Sequence, residues 1–179
     1  MKRFGTAVAV LAVAGFIGYW ATNGAMDAHS AAEKKVAGPS QRAAAPDFQV
    51  PALDGKPIRL SALKGKVVLL DFWATWCPPC KAEIPHFIEL QNAYGPKGAQ
   101  VIGLSVDQEG EEVVRPFVQA EGINYPVAVV GPDLGQKYGG IRGIPTTFLI
   151  DKQGRIAKKY IGYQDKEVFE SQIRALLAE

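Results

Sequence analysis

A continuous apolar run that leads into a pair of cysteines is the feature that most constrains the fold of this chain. Residues 67–73 read VVLLDFW, which has the length and the near-absence of polar residues that typify a strand buried on both faces. After three intervening residues comes the sequence CPPC at 77–80, and a helical pattern of apolar residues continues from it to Tyr94. The sequence therefore predicts that Cys77 and Cys80 lie at a strand-to-helix junction of an α/β protein.

The rest of the chain alternates predicted strands with predicted helices. A turn signal, Asp54-Gly55, separates two short apolar segments and predicts a β-hairpin ahead of the buried strand. Further strands are expected at 101–106, 127–130, 146–150 and 156–161, and helices at 111–121, at 132–138 and near the C-terminus. Because a tight turn at 151–154 makes the last two strands antiparallel, we predict a mixed central sheet flanked by helices.

The position of the cysteine pair indicates thiol–disulfide chemistry. The unpaired N–H groups and the positive dipole end of a helix N-terminus stabilise a thiolate, so Cys77 is expected to be partly exposed and nucleophilic at neutral pH. Cys80 is placed to attack a mixed disulfide formed by Cys77 and to release the reduced substrate. Pro78 and Pro79 stiffen the loop, although each removes one N–H donor from the helix start.

Two other interpretations of the cysteine pair remain open from the residues alone. The cysteines could be buried and inert, or they could supply half of a metal site, for which His86 is the one nearby further ligand. A total of two cysteines excludes a disulfide-stapled mini-protein and a four-cysteine zinc site. We therefore expect a redox-active pair, with no metal and no cofactor.

Charge patterning argues against nucleic acid as a partner. The chain carries a net charge of +2, but residues 1–45 carry +3 and the remainder carries −1. Phosphate binding needs a concentrated basic face, which this near-neutral body lacks.

The N-terminal segment predicts export or membrane attachment. Lys2 and Arg3 precede an uncharged, mostly apolar stretch at 4–26, which is long enough for the roughly 20 residues of a membrane-spanning helix. A cleaved secretory signal, with small residues near 30–32, and a buried soluble helix are the alternatives. With a membrane anchor or a cleaved signal, the rest of the chain lies outside the cytoplasm.

Three parts are therefore expected along the chain. Residues 1–26 form a membrane anchor or signal segment, and residues 46–179 form the folded domain. Between them, residues 27–45 are rich in alanine with mixed charges and lack apolar periodicity, which predicts a flexible linker or a disordered terminus.

Three stretches of sequence resemble the TlpA/ResA-like branch of the thioredoxin superfamily. They are WATWCPPCKAEIP at 73–85, LSVD at 104–107 and GIPTTFLID at 143–151. The resemblance covers 45–179 and implies a thioredoxin-like fold with the activity of a thiol-disulfide oxidoreductase. The N-terminal hairpin and an inserted helix and strand at 111–130 resemble this branch more closely than plain thioredoxin.

The resemblance also implies which residues contact a client protein. Pro145 matches the cis-proline that lies against the cysteine pair in the family, and Ile144 is the preceding residue, whose backbone pairs with the client. Trp76 matches a surface aromatic beside the nucleophilic cysteine, and Pro78 and Pro79 complete the same surface. An ordinary strand-edge proline at Pro145 and a packing role for Trp76 are the alternatives.

Two carboxylates are implied to handle protons. Asp71 matches the buried aspartate of thioredoxin, and Glu83, one helical turn after Cys80, matches an acidic residue of the TlpA/ResA branch. A carboxyl group in apolar surroundings has a raised pKa and can exchange a proton with a thiol. A solvent-facing charge at Asp71 and a helix-dipole partner at Glu83 are the alternatives. Thioredoxin carries a lysine where this chain has Gly103, so Asp71 is expected to lack that cationic neighbour.

The function implied by the resemblance is a membrane-tethered, extracytoplasmic reductase of client disulfides. In the family this activity serves cytochrome c maturation, with apocytochrome c as the client and a membrane thiol transporter as the electron donor. A disulfide-forming oxidase of exported proteins is the first alternative, although the CPPC loop lacks the histidine typical of strong oxidants.

Two further alternatives keep the fold but change the chemistry. A peroxiredoxin-like peroxidase needs a threonine–cysteine–arginine arrangement that Cys77 and Cys80 do not match. A copper-delivering module uses a wider cysteine spacing and a later histidine, whereas no histidine follows His86 in this chain.

Overall fold

A mixed five-stranded sheet organises the part of the chain that the computed structural model describes, residues 38–179. The strands along the chain are β1 (Gln49–Pro51), β2 (Pro57–Arg59), β3 (Val67–Trp73), β4 (Ala99–Ser105), β5 (Val127–Val129), β6 (Thr146–Ile150) and β7 (Ile156–Ile161). The sheet has the order β5–β4–β3–β6–β7, in which β3, β4 and β5 are parallel and β6 is antiparallel to both neighbours. Strands β1 and β2 form a separate hairpin. The predicted mixed sheet and hairpin are confirmed.

In this described part, four α-helices and three short 3₁₀ segments connect the strands. The helices are α1 (Pro78–Tyr94), α2 (Glu111–Ala120), α3 (Pro132–Lys137) and α4 (Lys166–Ala178). The 3₁₀ segments are Pro39–Gln41, Leu60–Leu63 and Gly95–Lys97. The predicted elements occur in the predicted order, because apolar periodicity and the glycine and proline residues at element ends are local signals.

Apolar side chains pack on both faces of the sheet. Every residue of β3 is buried, and its successive side chains project to opposite faces. On one face lie α1 and α4, where the rings of Phe87 and Phe169 have centroids 5.3 Å apart. On the other face lie the β1–β2 hairpin and Tyr138, which packs against Phe72. Each large buried side chain contributes about 1.5–3 kcal/mol, so β3 is held firmly from both sides.

The folded domain begins earlier in the chain than residue 46. The buried Arg42 guanidinium donates to Asp151 Oδ2 over 3.1 Å and to Glu179 Oε2 over 2.7 Å. Ala44 forms a β-bridge with Arg155. The linker expected at residues 27–45 therefore includes residues of the folded domain at its C-terminal end. The sequence did not indicate this, because the partners of Arg42 lie 109 and 137 residues later in the chain.

The predicted membrane segment and most of the predicted linker fall on residues 1–37, which lie outside the described residues. Within residues 38–179, no helix combines the length and the apolar character that crossing a bilayer requires.

The sheet register brings three chain segments to one edge of the domain. Strand β3 ends at Trp73, and α1 begins five residues later. Strand β6 starts at this same edge, since Thr146 pairs with Phe72 in the antiparallel register. Pro145, the residue before β6, therefore lies beside the end of β3 and the start of α1, which is where the cysteines are.

Candidate active site

Cys77 and Cys80 form a disulfide in which the two Cα atoms are 5.3 Å apart. Both residues are buried, since 3% of Cys77 and 1% of Cys80 is exposed. The expectation that Cys77 is partly exposed is therefore wrong for this oxidised form, because the disulfide packs within the apolar core beside β3. The exposed residues around it are Trp76, of which 60% is accessible, Pro78 and Pro79.

The start of α1 supplies the electrostatic environment of Cys77. Cys77 is the N-cap residue of the helix, and Pro78 and Pro79 occupy the first two helical positions. Because neither proline has an N–H, the Cys80 N–H is the first donor of the helix, and it donates to Cys77 Sγ over 3.3 Å. In the reduced protein, the same N–H and the helix dipole favour a thiolate at Cys77.

The peptide bond between Ile144 and Pro145 is cis. The Pro145 carbonyl accepts a hydrogen bond from the Gly162 N–H over 2.8 Å, which attaches this loop to the end of β7. Ile144 is half-buried and packs against the core cluster that contains both cysteines. The cis-proline loop and the cysteine loop thus meet, and Ile144 and Trp76 line one cleft between them.

Asp71 is buried in the middle of β3, with 4% of the residue exposed. Its Oδ1 accepts a hydrogen bond of 3.1 Å from the Thr147 hydroxyl, directly opposite on β6. Burial and the nearby charge of Glu83 raise the pKa of Asp71 well above its usual range, and the Thr147 hydrogen bond offsets only part of this. Asp71 is thus an interior group, which excludes the solvent-facing alternative.

Glu83 is fully buried on α1. Its Oε1 accepts a hydrogen bond of 2.7 Å from the Gln164 backbone N–H, while its Oε2 has no partner among the described residues. Burial raises the pKa of Glu83 to about 7, although the Gln164 N–H favours the charged form. The group is therefore not a surface partner of the helix dipole, and it titrates in the range where thiols exchange protons.

Gly103 lies opposite Asp71 on β4, at a position without room for a side chain. A Cβ atom at Gly103 would lie 2.9 Å from Trp73 Nε1 and 3.4 Å from the Tyr125 ring. Asp71 therefore has no cationic neighbour from this position. Burial, together with the charges of Asp71 and Glu83, raises the pKa of the Tyr125 hydroxyl, which keeps that group neutral.

The cysteine loop is held by a residue that the sequence analysis did not single out. Asp107, which follows β4, accepts hydrogen bonds from the Thr75 N–H at 3.0 Å, the Thr75 hydroxyl at 2.6 Å and the Ser105 hydroxyl at 2.7 Å. Because Thr75 and Trp76 directly precede Cys77, these bonds fix the approach to the disulfide. The signal was the LSVD sequence, in which the serine ends an apolar strand and the aspartate follows two residues later.

The partners of the two carboxyl groups were also missed. Thr147 lies 76 residues from Asp71 in the chain, and its role follows only once the register of β3 and β6 is known. Gln164 lies 81 residues from Glu83 and contributes its backbone N–H, so its side chain gives no signal.

A cleft of about 720 Å³ opens beside the disulfide. Trp76 and Ile144 line its end at the cysteines, and Pro132, Gln136 and Arg142 line the part towards α3. Its mixed apolar and polar lining suits a segment of polypeptide, and Trp76 at one end directly precedes Cys77.

We predict that the stability of the oxidised protein falls as the pH rises from about 4.5 to about 7. In the folded protein the pKa of Glu83 is about 7, against 4.5 for an unperturbed glutamate, so the folded state keeps a proton that the unfolded state loses in this interval. The effect amounts to about 3 kcal/mol. Glu83→Gln removes it, and urea unfolding at a series of pH values measures the change.

A smaller decline remains in this variant, because the raised pKa of Asp71 has the same sign. Glu112→Gln, at an exposed position of α2, is the matched control and keeps the wild-type dependence. A Glu83→Gln protein whose stability follows pH as steeply as the wild type contradicts the prediction.

Known proteins resemble this chain in sequence over most of its length. The model of the AhpC/TSA family matches residues 42–159. The thiol-disulfide oxidoreductase ResA of Bacillus thuringiensis (strain Al Hakam) is 44% identical over 135 residues, which cover 74% of this chain and 76% of that protein.

Solved structures agree in fold. A thiol:disulfide interchange protein of the thioredoxin family from Chlorobium tepidum TLS is 35% identical, with a TM-score of 0.71 over 76% of this chain and 97% of the other. A DsbF homologue from Corynebacterium diphtheriae is 26% identical, with a TM-score of 0.73 over 79% of this chain and 91% of the other.

These similarities coincide with the part of the chain that builds the cysteine loop, the cis-proline loop and the two buried carboxyl groups. The chain belongs to the TlpA/ResA-like branch of the thioredoxin superfamily, and it is a thiol-disulfide oxidoreductase.

Proposed function

We propose that this protein is a membrane-tethered, extracytoplasmic reductase of disulfides in client proteins. The observation that carries the proposal is a disulfide at the N-terminus of α1 with a buried carboxyl group, Glu83, on the next turn of the helix. This combination supplies a nucleophile and a proton acceptor that both operate near neutral pH.

The reaction begins with the reduced pair. The Cys77 thiolate attacks one sulfur of the client disulfide, which forms a mixed disulfide and expels the other client sulfur as a thiolate. Cys80 then gives its proton to Glu83 or Asp71 and attacks Cys77 Sγ. The second client sulfur leaves, the Cys77–Cys80 disulfide forms, and two electrons have passed to the client. A thiol donor restores the reduced pair.

Client binding is assigned to the surface around the disulfide. Trp76, Pro78 and Pro79 are exposed on the cysteine loop, and Ile144, which precedes the buried Pro145, lines the opposite side of the cleft. The Pro145 carbonyl is occupied by Gly162, so a client strand pairs with the free backbone of Ile144 on the other side of the cis bond. The adjoining cleft receives the client residues that flank the target cysteine.

We predict that the Cys77–Cys80 couple has a reduction potential at or below about −220 mV, in the range of glutaredoxin and thioredoxin. The proposal of a reductant requires this, because a couple near about −120 mV would insert disulfides into its clients instead. Equilibration of residues 38–179 with glutathione or dithiothreitol buffers measures the potential. Cys77→Ser and Cys80→Ser are the controls without a couple, and a value near that of a strong oxidant reverses the proposed direction.

We predict that the attack by Cys80 depends on the two buried carboxyl groups. The reduced protein is mixed with the symmetric disulfide of thionitrobenzoate. One coloured thiolate is released when Cys77 attacks this disulfide, and the second is released when Cys80 attacks the mixed disulfide at Cys77. The second release accelerates as the pH rises through about 7, where Glu83 becomes a base. Glu83→Gln removes this acceleration, and with Asp71→Asn it slows the second release about 100-fold.

The first release serves as an internal control, since it needs neither carboxyl group as a base. Glu112→Gln is the matched exposed control. Two variants, Asp71→Asn and Glu83→Gln, that both keep the wild-type pH profile of the second release exclude the proposed proton transfer.

The cellular setting is proposed from residues 1–26. A positive start and an uncharged stretch at 4–26 favour an anchor that leaves the domain outside the cytoplasm. Apocytochrome c, whose paired haem-binding cysteines must be reduced, is the proposed client, and a membrane thiol transporter is the proposed electron donor. ResA of B. thuringiensis, at 44% identity, supports the same type of exchange chemistry.

We predict that the full chain stays in the membrane fraction after an alkaline wash and that its thiols face outwards. The chain has only two cysteines, so a membrane-impermeant maleimide applied to intact cells after mild reduction reports on Cys77 and Cys80 alone. The double variant Cys77→Ser/Cys80→Ser gives the background. Label that enters only after the cytoplasmic membrane is broken contradicts the proposed location.

A further inference from the structure

Two buried polar atoms without a hydrogen-bond partner among residues 38–179 lie one helical turn apart on α1. They are Glu83 Oε2 and His86 Nδ1. Side chains three residues apart on a helix are neighbours, with Cβ atoms about 5–6 Å apart. A buried polar atom is costly when it lacks a partner, so two such atoms on neighbouring side chains of one helix call for an explanation.

One loop covers both side chains. The Gln164 N–H donates to Glu83 Oε1 over 2.7 Å, and the ring of the preceding residue, Tyr163, lies with its centroid 6.0 Å from that of His86. Because consecutive loop residues contact Glu83 and His86, the two side chains leave α1 in the same direction. His86 as a whole is half-buried although its Nδ1 is buried, so the imidazole reaches from the interior to the surface.

We propose that His86 conducts protons between the buried Glu83 carboxyl group and solvent during thiol–disulfide exchange. The inference rests on the proposed function, since it concerns the proton that Cys80 gives to Glu83. His86 contacts no client in this scheme. It is a positioning residue that acts through Glu83, and it gives the enclosed carboxyl group a route to water.

The proton balance closes over the full cycle. When Cys80 attacks, its proton moves to Glu83, then from Oε2 to His86 Nδ1 through one water bound by both atoms. The imidazolium releases its other proton from Nε2 to solvent and is left with a hydrogen on Nδ1. When the donor reduces the disulfide again, that Nδ1 proton returns through Glu83 to the Cys80 thiolate, and Nε2 takes a proton from solvent.

Other charged groups surround the outer side of His86. On α1, the Glu89 carboxyl group accepts a hydrogen bond of 2.5 Å from Lys166 of α4, and this bond is the main reason why the pKa of Glu89 is lowered. A positive charge on His86 lowers the same pKa by a smaller amount. In the covering loop, the Tyr163 hydroxyl donates to Asp165 over 3.2 Å. These groups are exposed or bound to one another, whereas Glu83 is buried, so Glu83 is the interior end of the route.

The test measures the two-step release of thionitrobenzoate from its symmetric disulfide. His86→Ala is expected to slow the second release about tenfold at neutral pH, which is less than the 10²–10⁴ that direct proton transfer contributes, because Glu83 is still present. The first release is expected to stay unchanged. Free imidazole in the buffer is expected to restore the rate in proportion to its concentration. In Glu83→Gln/His86→Ala, imidazole is expected to have no effect, because the interior end is missing.

Two further variants separate a proton route from a change of local charge or packing. His86→Gln keeps a polar side chain of similar size and is expected to show the same loss as His86→Ala. Glu89→Gln changes the charge beside His86 without touching Glu83 and is expected to keep the wild-type second release.

The inference is overturned by a His86→Ala second release at the wild-type rate, or by a slow release that imidazole does not restore. It is equally overturned if Glu89→Gln slows the second release by the same factor, because a change of charge near Glu83 then explains the slower release without a proton route through His86. A wild-type protein that never gives the second release overturns the proposed function itself. Normal release by the wild type with an unaffected His86→Ala overturns the relay alone.

Discussion

Burial of β3 on both faces is the constraint on which the active site depends. Helices α1 and α4 pack on one face, and the β1–β2 hairpin with Tyr138 packs on the other, so the strand has no side open to water. The position of the C-terminal end of β3 is consequently fixed, and the loop that carries the cysteines starts from that end. The same enclosure means that Asp71, the one charged residue of the strand, must lie in the core.

This enclosure decides the electrostatics of the site. Asp71 and Glu83 are both buried, and burial raises the pKa of each, while the charge of Glu83 raises the pKa of Asp71 further. Gly103 leaves no room for a cation beside Asp71. The interior therefore tolerates protons better than negative charge. That preference costs stability at neutral pH. It also holds the pKa of Glu83, the proposed proton acceptor, close to the pH at which thiols ionise.

The architecture, the cysteine pair at a strand-to-helix junction and the cis-proline could be predicted from the sequence, because each is carried by a local pattern or motif. The apolar run of β3, the adjacent CPPC and the proline at 145 are all readable along the chain. The contacts that tune the site were not predictable, since Thr147 and Gln164 reach their carboxyl partners across 76 and 81 residues. Cys77 was expected to be partly exposed at the start of the helix, but the oxidised sulfur packs inside the core.

The buried disulfide also limits how a client can approach it. Access runs between the cysteine loop and the cis-proline loop, and each is held from behind. Asp107 binds Thr75 through both its N–H and its hydroxyl, and Gly162 binds the Pro145 carbonyl. Because both loops are fixed before a client arrives, binding requires little further ordering of them, and the entropy cost of reaching the geometry of attack is small. In the proposed mode of client binding, discrimination between clients falls to the wider cleft beyond Trp76, whose residues lie outside the reacting centre and can differ without disturbing it.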